Sequence, residues 1–183
     1  MYSKCIVFTG PSGSGKSTII KGILSKIPNA SLSVSCTTRS MRDGEINGQD
    51  YYFISKDKFQ QNINDRLFIE YTECYGNYYG TLKSEIDRCL TKHKHCIMDL
   101  DYPGAKNVME CLGQQYKVVG VLVLPPSITS LSRRLQNRMS ETDQSLNMRI
   151  NQSFSSNTIA RYDIIIVNKF VDESIATCIS LFE

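Results

Sequence analysis

The sequence predicts an α/β fold: a parallel sheet core with helices on both faces, carrying a small β-rich insertion and a helical lid. Three observations carry that prediction. Compact β-branched runs alternate with stretches of helical apolar spacing, a glycine-rich turn separates the first run from the first helix, and two polar segments interrupt the alternation. The 183 residues are 41% hydrophobic and 21% charged, with 11 Gly and 5 Pro, which describes one globular unit or a core with a modest insertion. Two full enzyme domains, extensive disorder and collagen-like repeats are excluded. A chain of this size buries about 70% of its unfolded surface, so no disulfide or structural metal is needed to hold it.

The elements follow in order. Lys4 to Phe8 is a short β-branched and aromatic run of the kind that forms a buried strand, and it ends in the glycine-rich turn. Ile19, Ile20, Ile23, Leu24 and Ile27 then recur at helical spacing until Pro28 stops the pattern. Tyr51 to Ile54, Leu67 to Cys74 and Tyr78 to Leu82 look like short, half-exposed strands, with Gly76-Asn77 as a turn, so 35–82 is expected to be a mainly β insertion. Apolar runs at Cys96 to Leu100, Val118 to Leu124 and Ile164 to Val167 alternate with helical patterns near 83–93, 104–114, 127–138 and 173–182. After Pro125-Pro126, two polar helices carry Arg133, Arg134, Arg138 and Arg149 with few apolar residues to hold them down, which suits a mobile lid. The expected division is a core of 1–34, 83–125 and 158–183, an insertion of 35–82 and a lid of 126–157.

Charge and cysteine usage narrow the partners. Lys and Arg number 21 against 18 Asp and Glu, a net charge of +3 that demands no nucleic acid, although clustered arginines suit small phosphorylated ligands. No apolar run approaches the roughly 20 residues that span a bilayer, so no membrane partner is expected. The seven cysteines are odd in number, scattered and without a CxxC pair, which points to a reducing, cytoplasmic setting and away from zinc.

Gly10-Pro11-Ser12-Gly13-Ser14-Gly15-Lys16-Ser17 matches the pattern G-x-x-x-x-G-K-[ST], and a strand before it and a helix after it make the core of P-loop NTPase type. Glycines let backbone N–H groups turn inward around phosphate oxygens while the following helix aims its positive end there. Lys16 is expected to stand exposed in the loop and reach the β and γ phosphates of a nucleotide, Ser17 to hold Mg²⁺ with its hydroxyl, and Thr18 to close the nucleotide-binding segment, which the resemblance given below makes an ATP site. Nucleotide binding follows, but not the choice of reaction.

A switch GTPase and a kinase of a small acceptor compete. Asp101-Tyr-Pro-Gly104 has the form D-x-x-G, and Asn168-Lys169 begins like N-K-x-D. The aspartate of the second motif would fall at Val171, one residue short of Asp172, and a base-reading carboxylate cannot slip by one residue without moving several Å. The kinase reading gains from Arg39 and Arg42, three apart on a polar loop, which are able to grip a dianionic monophosphate; a solvated basic loop has the same appearance.

At this point the sequence resembles the guanylate kinase family over nearly its whole length: GPSGSGKS at 10–17, SVSCTTRSMRDGEINGQDYYF at 33–53, FIEYTECYGNYYGT at 68–81, MDLDYPG at 98–104, and RRLQNR with NMR between 133 and 149. The resemblance implies phosphoryl transfer from ATP to GMP, giving ADP and GDP, in purine nucleotide metabolism and GMP recycling. It implies that Arg39, Arg42, Tyr51 and Tyr79 bind the GMP phosphate and that Ser35, Glu70, Thr81 and Asp101 surround the guanine and its sugar. Asp99 would sit near the Mg²⁺ hydration shell, and Arg138 and Arg149, supported by Arg134, would close from the lid onto the transferring phosphate. A monomer or weak homo-oligomer is expected. The alternatives are a non-catalytic binding module of the same fold and another small-molecule phosphokinase.

The chemistry of these residues agrees with those roles. Guanine presents N1–H and an exocyclic amine, both donors, so a carboxylate such as Glu70 has the right polarity. Taken alone, Glu70 reads more readily as a solvated face residue, the tyrosines as core or rim aromatics, and Arg134 with Arg138 as a charged helix face; their joint occurrence with the phosphate loop favours the functional roles. Asp99 and Asp101 stand at the C-terminal end of a strand, where ligands bind in open α/β sheets. The chain departs from the family pattern at Met41, usually Pro, at Pro103, usually Gln and here suited to a helix's first turn, and at Lys169, often Asp.

Overall fold

A computed structural model describes residues 3–74, 76–92, 95–127, 129–131 and 161–182. The elements run β1 (Lys4–Thr9), α1 (Lys16–Lys26), β2 (Ala30–Leu32), β3 (Cys36–Thr37), β4 (Tyr52–Phe53), α2 (Lys56–Asn64), β5 (Phe68–Cys74), β6 (Asn77–Leu82), α3 (Lys83–Lys92), β7 (His95–Asp99), α4 (Tyr102–Leu112), β8 (Lys117–Leu124), β9 (Ile164–Val167) and α5 (Val171–Ile179), before a 3-10 turn at Ser180–Phe182.

Five strands form a sheet in the order β2-β7-β1-β8-β9, every pair parallel. A parallel sheet is covered on both faces, which is why its central strands read as unbroken apolar runs. Alternate residues divide between two cores. Ile6 and Phe8 of β1 join Ile97, Val121 and Ile166 beneath α1 and α5, whereas Cys5 and Val7 join Cys96 and Met98 beneath α3 and α4. Gly22 allows the close contact of α1 with α5, since a Cβ there would fall 2.3 Å from Ile175 Cδ1.

Strands between Cys36 and Leu82 form a second sheet, β4-β3-β6-β5, around Cys36, Phe59 and Phe68. Two elements differ from the sequence reading. The first is α2, a helix inside a segment read as mainly β. Ser55 caps it by accepting from the Lys58 N–H at 3.1 Å, and Phe59 on its inner face stacks on Phe68 and Tyr78 at centroid distances of 4.4 and 5.3 Å. The second is β2, whose three residues carry too little apolar pattern to announce an edge strand. Pro103 occupies the first turn of α4, as its fixed φ suits.

Among the expected lid residues, 129–131 are helical, and Leu131 is fully buried. Arg133, Arg134, Arg138 and Arg149 lie outside the described residues. Among the described residues, no helix is long and apolar enough to cross a membrane.

Candidate active site

Strand β1 sends its chain to α1 on one face of the sheet, and its neighbour β7 sends its chain to α4 on the other. Adjacent strand ends that diverge in this way open a crevice at their carboxyl edge. The glycine-rich loop fills one side of it. Gly10, Gly13 and Gly15 have φ of 141°, 81° and 97°, a region that side chains disfavour, and a Cβ on Gly10 would fall 2.1 Å from the Val123 carbonyl oxygen. Pro11 and Ser14 are buried, Ser12 is half-buried, and the Ser14 N–H closes the turn onto the Pro11 carbonyl at 3.1 Å.

Lys16 departs from the expected exposure. Its side chain is only 14% exposed, and Nζ donates to the Gly10 carbonyl at 2.8 Å while standing 3.9 Å from Asp99 Oδ1. The loop therefore stores the ammonium against its own backbone and the β7 carboxylate. Ser17 and Thr18, on the first turn of α1, are exposed, and the Ser17 hydroxyl donates to Asp99 Oδ2 at 3.5 Å. Surrounding protein pushes the Asp99 carboxyl up, Lys16 and Ser17 pull it down, and a third of the side chain still meets water.

Asn168 is a contact that the sequence reading missed. At the C-terminal end of β9 and 1% exposed, it donates through Nδ2 to the Ser14 carbonyl at 2.8 Å and accepts from the Ser174 hydroxyl of α5 at 3.1 Å. It pins the phosphate loop to the far side of the sheet. Its position at a strand end was the available signal, hidden by its likeness to a guanine-reading motif.

The expected acceptor residues converge in two groups. In the first, Glu70 and Thr81 are register partners on β5 and β6, both buried, and Ser35 lies within 3.0 Å of the Thr81 hydroxyl. Asp101 caps α4 by accepting from the Gly104 N–H at 2.8 Å. A Cβ on Gly104 would sit 2.8 Å from Glu70 Oε2 and 2.9 Å from Asp101 Oδ1, so both carboxylates border the same point of α4. Burial pushes the Glu70 carboxyl up to about 7; hydrogen bonds from Thr81 oppose the rise and the Asp101 charge adds to it.

The second group is built on Arg39. Its guanidinium makes a paired contact with Glu45 at 2.9 and 2.7 Å and lies 5.5 Å from the Tyr51 ring centroid and 5.6 Å from that of Phe53. Tyr51 meets Tyr79 edge-on at 6.1 Å. Glu45 also accepts from the Arg42 N–H at 2.8 Å, so a residue given no role from sequence organises the arginine loop; its place three residues after Arg42 was the only hint. Arg42 itself is exposed. The Tyr51 hydroxyl is pushed up to about 12, mainly by burial and then by the Asp99 carboxylate.

Residues 2–183 match the family model described as guanylate kinase. The chain is 40% identical over 171 residues to a guanylate kinase of Clostridium perfringens, covering 93% of this chain and 78% of that one. It is 36% identical over 181 residues to a guanylate kinase of Prochlorococcus marinus, covering 98% and 97%. The crystal structure of guanylate kinase from Anaplasma phagocytophilum superimposes with a TM-score of 0.76 at 27% identity, over 99% of this chain and 85% of that chain. Similarity of this extent, in sequence and in fold together, establishes that the chain belongs to the guanylate kinase family.

Proposed function

We propose that the protein transfers the γ-phosphoryl group of ATP to the phosphate of GMP, producing ADP and GDP. The observation that carries this reading is the buried carboxylate of Glu70, set among Ser35, Thr81 and Asp101 beside the start of α4. Guanine offers two donors at N1 and the exocyclic amine, which such a carboxylate accepts; adenine offers an acceptor at N1, which it repels.

The remaining chemistry is positioning and charge. Residues 10–18 cradle the ATP phosphates, and Lys16 exchanges the Gly10 carbonyl for the β and γ oxygens. Arg39, Arg42, Tyr51 and Tyr79 grip the GMP phosphate, with Glu45 holding the arginines ready. Ser17 and Asp99 present oxygen atoms side by side, the donor type that a hard divalent cation takes, so Ser17 directly and Asp99 through water would hold Mg²⁺. Bound there, the cation neutralises charge on the transferring phosphoryl group. Arg138 and Arg149, with Arg134 supporting, are assigned from the family resemblance to the same charge from the lid at 126–157. Transfer is in-line, with no covalent enzyme intermediate. The odd number and scattered spacing of the seven cysteines favour a reducing, cytoplasmic setting.

Phosphorus NMR of the purified protein with ATP, Mg²⁺ and GMP should show ADP and GDP rising in equal amounts. ATP consumption without GDP, or no consumption, overturns the proposal.

A further inference from the structure

Two stretches of chain join the core to the second sheet: residues 33–35 on the way out and the β6 to α3 junction at Leu82 and Lys83 on the way back. Beside both lies Glu85, in the first turn of α3 and 5% exposed. Its carboxylate accepts four hydrogen bonds. Oε2 takes the Val34 N–H at 2.9 Å and Arg88 Nη2 at 2.8 Å, and Oε1 takes the Tyr52 hydroxyl at 3.1 Å and Arg88 Nε at 3.0 Å. Arg88 extends the network to the Ser31 hydroxyl at 3.2 Å and the Leu32 carbonyl at 2.7 Å. Burial pushes the Glu85 carboxyl up, but the Arg88, Val34 and Tyr52 donors outweigh that and hold it below its ordinary value.

A buried carboxylate is a poor device for stability alone, even when paired with a half-buried arginine, because an apolar side chain of similar volume does as well without the desolvation cost. The placement of its arms indicates another use. Val34 immediately precedes Ser35, and Tyr52 immediately follows Tyr51. Each arm therefore grips the neighbour of an acceptor-site residue. Strand side chains alternate, so Tyr52 reaches away from Tyr51 toward the core while Tyr51 meets Tyr79. The Tyr52 N–H, bonded to the Ser35 carbonyl at 2.9 Å, ties the two gripped segments to each other.

We infer that Glu85 is a positioning residue that fixes the acceptor sheet to the phosphate-loop core by holding Val34 and Tyr52 from behind. The inference rests on the reading that Ser35 and Tyr51 face GMP. It places the residue at the hinge and not in the site.

The test uses Glu85→Gln and Tyr52→Phe in the full chain, the second removing one hydroxyl and leaving the packing. Both variants should raise the GMP KM about 3- to 10-fold, with kcat within about twofold and the ATP KM unchanged. A merely structural role would instead lower kcat through a smaller folded fraction and leave the GMP KM alone. Hydrogen exchange gives a readout independent of the substrate. Amides of Val34, β3 and β4 should exchange faster in both variants while those of β1 and β8 stay protected. Wild-type protein that ignores GMP, combined with faster exchange in the variants, would fault the acceptor assignment and spare the hinge. Unchanged exchange at Val34 and β4, or a kcat loss at constant GMP KM, overturns the inference.

Discussion

The Glu70 carboxylate occupies the space that a side chain on Gly104 would need: a Cβ there would stand 2.8 Å from Oε2. The second sheet thus meets α4 at a point where one methyl group decides whether the buried carboxylate keeps its place. Gly104→Ala should displace Glu70 and crowd the Asp101 cap, whose Oδ1 lies 2.9 Å from the same Cβ, while the interior of α4 gains from alanine's higher helix propensity. Losing a charged hydrogen bond worth about 1.5 to 3 kcal/mol lowers kcat/KM for GMP roughly 10- to 150-fold. Steady-state kinetics should show that loss with the ATP KM unchanged; an unaltered GMP KM would separate Glu70 from the acceptor.

The raised Glu70 carboxyl has two pH consequences. An unfolded glutamate releases its proton near 4.5, whereas the folded one holds it to about 7. Between those values the folded state binds the extra proton, so its contribution to stability is complete below 4.5 and is lost as pH rises through about 7, by an amount on the order of 3 kcal/mol. Glu70→Gln should therefore gain thermal stability over wild type at pH 8 and gain little at pH 5. GMP, which needs the carboxylate, should bind more weakly below pH 7 and release a proton as it binds, measurable by calorimetry in buffers of different ionisation enthalpy.

Asn168→Ala removes the hydrogen bond from β9 to the Ser14 carbonyl and the acceptor that Asn168 offers the Ser174 hydroxyl. Two hydrogen bonds are lost, each worth about 0.5 to 1.5 kcal/mol, while the Ser174 hydroxyl keeps the Phe170 carbonyl, so the denaturation midpoint should fall modestly. The ATP KM should rise while the GMP KM holds, because the loosened segment is the phosphate loop. Equal rises for both substrates would assign Asn168 to global stability only.

Lys16→Ala should abolish turnover and cost little stability, since its loop contacts amount to the carbonyls of Gly10 and Pro11. Near-normal activity in that variant would remove Lys16 from the reaction. Arg42→Ala, by contrast, should weaken every monophosphate similarly, because phosphate contacts carry no base information.

The core was legible because a doubly covered parallel strand has an apolar run as its necessary signature, and β1, β7, β8 and β9 all show one. Strand β2 was not, because three edge residues need no such run. Helix α2 was overlooked although Ser55, Asp57 and Phe59 spell a capped amphipathic turn; the flanking aromatic strands drew the reading toward β. In the site, Lys16, Ser17 and Asp99 followed from a contiguous motif and a strand end. Glu45, Glu85 and Asn168 act through partners six, fifty-one and one hundred and fifty-four residues away, and no local pattern encodes such pairs.

If GMP is the acceptor because Glu70 reads guanine, ADP release resolved by acceptor will report it. Wild type and Glu70→Gln would each be assayed with ATP, Mg²⁺ and one of GMP, AMP, UMP, CMP or dTMP, and kcat/KM compared. GMP should be far the best acceptor for wild type, and the variant should lose about 10- to 150-fold on GMP and much less on AMP. Equal rates across the five acceptors, or equal losses on GMP and AMP, would contradict it.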